Sequence, residues 1–186
     1  MRKNFGAKAY LYPQPVLIIA TYGEDGTPDA MNAAWGGICD DTRVNICLGS
    51  NHKTAANLQS RKAFTVSVGT LKQLVACDYV GLVSGNKVSD KFAQAGFHAV
   101  KSTFVDAPLI AEMPFTLECS VVSYDTESCQ LVGEIVNVSA DESILTEGKI
   151  DVAKLEPISF DPVNHTYLKV GTVVGTAFSD GLKLKK

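Results

Sequence analysis

The chain has 186 residues, 46% of them hydrophobic and 20% charged, with a formal net charge of −3. That length and apolar content suit a single domain spanning residues 1–186 and leave little room for two. A mildly acidic balance with scattered lysines and arginines excludes the basic footprint of a nucleic-acid-binding protein.

The first three residues, Met1-Arg2-Lys3, open like a secretion signal, but the apolar run at 16–20 is short and follows Pro13 and Pro15. The sequence therefore predicts neither secretion nor a membrane span. Residues 16–20 read as a buried strand, and Glu24-Asp25-Gly26-Thr27-Pro28 as the turn of a hairpin. In the returning limb, 29–37, Ala30, Ala33, Ala34, Gly36 and Gly37 surround one large residue, Trp35, and allow close approach to the backbone. Val44, Ile46 and Leu48 share one face of a strand, and a helix follows over 53–61. Alternation predicts strands at 64–68, 115–121, 131–138 and 167–177, with Gly133, Gly171 and Gly175 as bends or bulges. Further helices are expected over 71–79 and 89–95, the second ended by Gly96, while 97–114 carries no clear pattern. Strands outnumber helices without alternating with them, and no GxGxxG motif occurs, which argues against a doubly wound sheet. The expectation is a mainly β, antiparallel barrel with a few short helices.

Three stretches offer chemistry. Ser50-Asn51-His52-Lys53-Thr54 runs from a strand into a helix start, where unpaired amides and a partial positive charge suit a phosphate. Ordinary helix capping by Ser50 or Asn51 is the competing reading. Ser84-Gly85-Asn86-Lys87-Val88-Ser89-Asp90-Lys91-Phe92 is a second loop entering a helix with hydroxyls and lysines, read either as another anion contact or as a cap by Ser89. Asn32-Ala33-Ala34-Trp35 combines an amide, approachable backbone and an indole, which suits a flat heteroaromatic ring as well as it suits a core tryptophan. His52, His98 and His165 lack metal-ligand spacing, so no metal site is expected, and no G-x-S-x-G elbow marks a hydrolase. The cysteines, Cys39, Cys47, Cys77, Cys119 and Cys129, are odd in number and contain no CxxC, which reads as reduced thiols and a cytoplasmic location. The basic tail, Leu182-Lys183-Leu184-Lys185-Lys186, reads as a solvated terminus.

Taken together, these pieces resemble the flavin reductase-like family of FMN-binding split barrels, particularly its flavoredoxin branch. The resemblance is carried by Pro15-Val16-Leu17-Ile18, Asn32-Ala33-Ala34-Trp35, residues 50–54, residues 79–92 and the late stretch 167–178. It implies a homodimer with FMN near the subunit interface and its phosphate at Ser50, Asn51, Lys53 and Thr54. By the same resemblance Asn32, Ala33, Ala34 and Trp35 border the ring and ribityl chain, and Ser84, Gly85 and Lys91 reach the flavin or its phosphate. Phe160, His165 and Tyr167 belong to a late segment that closes the pocket. The implied activity is electron transfer through FMN from NAD(P)H or a redox partner protein, with no side chain needed as a catalyst. The alternatives are a pyridoxamine-phosphate-oxidase-like enzyme, whose substrate-phosphate cluster the sequence lacks, and a non-catalytic flavin-binding module.

Overall fold

Apolar residues at every position of 16–20 demand a strand covered on both faces, and the fold supplies two covers. The computed structural model describes residues 1–185, so Lys186 of the basic tail lies outside the described residues. β1 (Gln14–Pro15) leads into β2 (Leu17–Tyr22), which returns as β3 (Pro28–Ala33) and continues through β4 (Gly36–Asp40) and β5 (Arg43–Cys47). Then come α1 (Lys53–Arg61), β6 (Ala63–Val68), α2 (Leu74–Leu82), α3 (Lys91–Gln94), β7 (Ala99–Lys101) and β8 (Pro108–Ile110). The long hairpin of β9 (Phe115–Asp125) and β10 (Gln130–Ala140) precedes β11 (Leu145–Thr146), β12 (Lys149–Ile150), α4 (Val152–Leu155), β13 (Ile158–Asp161) and β14 (Thr166–Lys169).

Seven strands form one antiparallel sheet in the order β3-β2-β6-β9-β10-β5-β4. Its two edge strands, β3 and β4, are consecutive in the chain and separated only by Ala34 and Trp35. Edges joined by so short a link must lie close together, so the sheet curls into the expected split β-barrel. Register shifts in the β9–β10 hairpin, at Val132/Gly133 and Ile135/Asn137, sharpen the curl. Gly133 is required there because a Cβ would run into the ring of Phe64, which is fully buried.

Leu17, Ile19, Ile46, Phe64 and Leu131 form the first core, joined by Ala55 and Leu58 from α1. On the other face Val16, just before β2, and Ile18 and Ala20 within it pack with Cys77 and Val80 of α2 and Phe92 of α3. Burial on both faces is thus why this run is continuously apolar rather than alternating.

Two expectations need correction, and one unassigned stretch is resolved. α2 begins at Leu74 and not at 71, because Thr70 is bridged to Pro157 and the Leu71 amide donates to the Glu156 carbonyl. β14 ends at Lys169, and among the described residues no partner strand continues beyond it, so Gly171 and Gly175 lie outside the sheet, near the exposed Val173 and Val174. The unpatterned stretch 97–114 contains the β7–β8 hairpin, whose strands are three residues each and too short for periodicity to reveal. No helix among the described residues is long and apolar enough to cross a membrane.

Candidate functional site

The strand-to-helix turn after β5 is not an ordinary cap. His52 sits at the N-cap of α1 with no capping bond from its side chain, and neither Ser50 nor Asn51 bonds to the first turn. The amides of Ala55 and Ala56 both reach the His52 carbonyl, at 3.1 and 3.4 Å, while those of Lys53 and Thr54 find no acceptor among the described residues. Two backbone donors are therefore left at the positive end of a nine-residue helix.

The second loop docks onto this turn. Asn86 Nδ2 donates to the Asn51 carbonyl at 3.0 Å, and the amides of Lys87 and Val88 both donate to the Ser84 carbonyl, at 2.9 and 3.0 Å. Ser84 and Gly85 thereby face Lys53 and Thr54 across a cavity of about 220 Å³, which Asn32, His52 and Lys91 also line. A Cβ on Gly85 would collide with Asp29 Oδ1 and stand 3.2 Å from Lys53 Cδ. Only glycine lets the loop close this far.

Asp29 on β3 is the sole acidic residue lining the cavity and is 3% exposed. Its Oδ2 accepts the Thr54 hydroxyl at 2.7 Å, and its Oδ1 lies 3.4 Å from Lys91 Nζ. Lys91, equally buried, has one further contact, the Val80 carbonyl at 3.5 Å. A hydroxyl carries one proton. Thr54 gives that proton to Asp29, so toward an anion in the cavity it offers its backbone amide and not its side chain.

Free amides, the Lys53 and Lys91 ammonium groups and a backbone approach without a Cβ fit a phosphate group. The cavity is smaller than the roughly 300–1,000 Å³ of pockets that engulf whole ligands. Its volume has room for a phosphate group but not for a whole cofactor.

The ring-side candidates are distributed differently. Ala33 belongs to the first core and lines neither hollow near it, whereas Trp35 is 56% exposed in a wider groove of about 700 Å³ with Tyr10, Leu11 and Cys47. Asn32 bridges toward the phosphate cavity, its amide donating to the Cys77 carbonyl at 3.0 Å. From the late segment, Tyr167 donates to Asp78 Oδ1 at 2.7 Å beside Asn32. Burial, reinforced by the Asp78 carboxylate, holds the Tyr167 phenol well above its ordinary range. Phe160 and His165 stack on each other, ring centroids 6.4 Å apart, and Phe160 also meets the Tyr167 ring at 6.1 Å. Ser50 and Asn51 are exposed and lie outside the phosphate cavity, although the Asn51 carbonyl anchors the second loop.

Sequence reasoning missed Asp29 and passed over His52. The available signal for Asp29 was the one charged residue in a limb whose other side chains are small or apolar apart from Asn32. Two thiols are clearly disfavoured as thiolates: burial pushes Cys77 up to about 11, and burial with the neighbouring Glu118 and Glu134 carboxylates pushes Cys119 up to about 12.

The family model described as "Flavin reductase like domain" matches residues 9–155. Among solved structures, the flavoredoxin of Desulfovibrio vulgaris (Miyazaki F) is 36% identical, covers 97% of this chain and 100% of its own, and superposes with a TM-score of 0.93. The flavoredoxin of Methanosarcina acetivorans is 25% identical, over 99% of this chain and 98% of that one, with a TM-score of 0.86. The NADH:FAD oxidoreductase of Streptomyces globisporus C-1027, at 20% identity, shares the fold over 87% of this chain and 88% of its own, with a TM-score of 0.68. No curated protein matches the chain.

Proposed function

Because the chain belongs to the flavin reductase-like family, we propose that it is an FMN-binding oxidoreductase that takes electrons from NAD(P)H or a protein donor and passes them to an acceptor. The observation that carries this reading is the convergence of the Lys53 and Thr54 amides, the Ser84–Gly85 loop and Lys91 on one phosphate-sized cavity. Bound FMN supplies the redox chemistry itself. The chain's own residues bind and orient. Lys53, Lys91 and the two free amides hold the phosphate, and Gly85 permits the close backbone approach. Asn32, fixed by the Cys77 carbonyl and backed by Tyr167, presents its amide between the phosphate end and the ring. Trp35 flanks the ring from the wide groove, and the partly exposed wall there admits a donor.

The same reading makes the protein a homodimer. Trp35 and Ile38 are 56% and 65% exposed beside that groove, along with Tyr10 and Leu11, an apolar surface that a second copy would cover. Two buried thiols with no partner cysteine support a reducing, cytoplasmic setting.

The test is the visible spectrum of the purified protein, followed by anaerobic mixing with NADH and with NADPH. A yellow protein that bleaches is a reductase, and one that stays yellow is a carrier fed by another protein or a non-catalytic flavin-binding module. A colourless protein that FMN does not titrate refutes the reading. Sedimentation that finds a flavin-loaded monomer at low micromolar concentration refutes the dimer.

A further inference from the structure

We propose that Asp29 is a positioning residue: it holds Lys91, and with it the Ser84–Gly85 loop, against the first turn of α1, so that the phosphate of the ligand meets an assembled set of donors. The proposal rests on the reading that this cavity takes the FMN phosphate.

Asp29 connects three elements around the cavity. It sits on β3, accepts from Thr54 of α1, faces Lys91 of α3, and packs where a side chain on Gly85 would otherwise be. Without it, Lys91 keeps a single carbonyl contact, Val80 at 3.5 Å, for a side chain that is 4% exposed. A buried ammonium with no counter-charge is strongly unfavourable, and lysine's four-carbon stem lets the charge withdraw to water. The wall would then lose its deepest cation. Both present contacts of Lys91 exceed the roughly 2.7–2.9 Å of strong charge-assisted bonds. An ammonium has three protons, so Lys91 is held in place with donor capacity left for an arriving anion. The Asp29 carboxylate also repels that anion. Its pairing with Lys91 offsets the repulsion, and its loss would remove the cation along with it, so positioning outweighs repulsion.

The experiment compares FMN with riboflavin, which has the same ring and ribityl chain but no phosphate, by calorimetric titration of the apo-protein. The ratio of the two dissociation constants isolates the phosphate contribution. Asp29→Asn, which keeps the shape and still accepts from Thr54, should lower the wild-type preference for FMN by about tenfold or more, the worth of one bond to a charged group. Lys91→Met should lower it by a similar factor, and the double variant by no more than either alone, because both changes remove one grip. A purely structural role would weaken both ligands alike and leave the ratio where it was. Asp29→Asn with an equal or larger FMN preference, or losses that multiply in the double variant, would overturn the proposal. Should Asp29→Asn not fold, Lys91→Met still decides, since a wild-type preference there leaves Asp29 nothing to act through. A wild-type protein that binds riboflavin as tightly as FMN instead refutes the phosphate assignment itself.

Discussion

Lys53 and Thr54 are neighbours in the sequence, yet under the proposed phosphate site they have separable roles, and substituting them one at a time exposes the difference. Lys53 is partly exposed, makes no ion pair among the described residues and lines the cavity. Lys53→Ala should leave folding unchanged while removing a charge-assisted contact to the phosphate. Such a contact is worth about 1.5–3 kcal/mol, or roughly 10- to 150-fold in the FMN dissociation constant. Riboflavin affinity should hardly move. Thr54 is 1% exposed and donates its only hydroxyl proton to the buried Asp29. Thr54→Val keeps the volume and the backbone amide but leaves a buried carboxylate short of a donor, at about 1–3 kcal/mol of folding free energy. It should therefore lower the urea midpoint with an unchanged m-value, and affect FMN binding less than Lys53→Ala does. The assays are flavin fluorescence titration and urea unfolding followed by circular dichroism. If Lys53→Ala binds FMN like the wild type, or if Thr54→Val is as stable as the wild type yet loses FMN, the assignment of charge to Lys53 and scaffold to Thr54 is wrong.

Trp35 is the only tryptophan and is more than half exposed, so FMN binding beside it should quench the intrinsic fluorescence, and Ala34→Leu should weaken both binding and quenching. Full emission at saturating FMN would move the ring elsewhere. Gly133→Ala should cost about 1–3 kcal/mol in chemical denaturation, because the fully buried Phe64 ring cannot make room without leaving its rotamer; a neutral substitution would mean the bulge is freely adjustable. Cys77 and Cys119, with thiols raised to about 11 and about 12, should resist iodoacetamide in the native protein at pH 8, leaving at most Cys39, Cys47 and Cys129 to react. By linkage, the unfolded chain begins to ionise these two thiols near its ordinary value of about 8.5 while the folded chain does not. Their contribution is thus fully present below that pH and is lost as pH rises toward the folded values. Mass spectrometry that finds more than three adducts without unfolding would show that the barrel opens.

Much of the architecture was legible in local patterns. The helix at 53–61 and the strands at 64–68, 115–121 and 131–138 follow from side-chain periods, and Gly133 marked its bulge because a missing side chain inside an apolar strand needs a packing reason. The absent dinucleotide motif argued against a doubly wound sheet, and the antiparallel seven-stranded sheet agrees. Each of the three stretches singled out for chemistry contributes to one cavity, through Asn32, through His52, Lys53 and Thr54, and through Ser84, Gly85 and Lys91, while Ser50 and Asn51 stay outside it. Periodicity reports only which face of an element is buried, so it could not fix what lies opposite that face. The start of α2 depends on a bridge from Thr70 to Pro157, and the end of β14 on the lack of a partner strand, both contacts between distant parts of the chain. The buried carboxylate that takes the Thr54 proton, faces Lys91 and leaves room only for a glycine lies at least 25 residues from each of those partners. Sequence alone determined that this chain would build a barrel with phosphate-capable turns. Which donors those turns still have free was decided only when tertiary packing brought Asp29 among them.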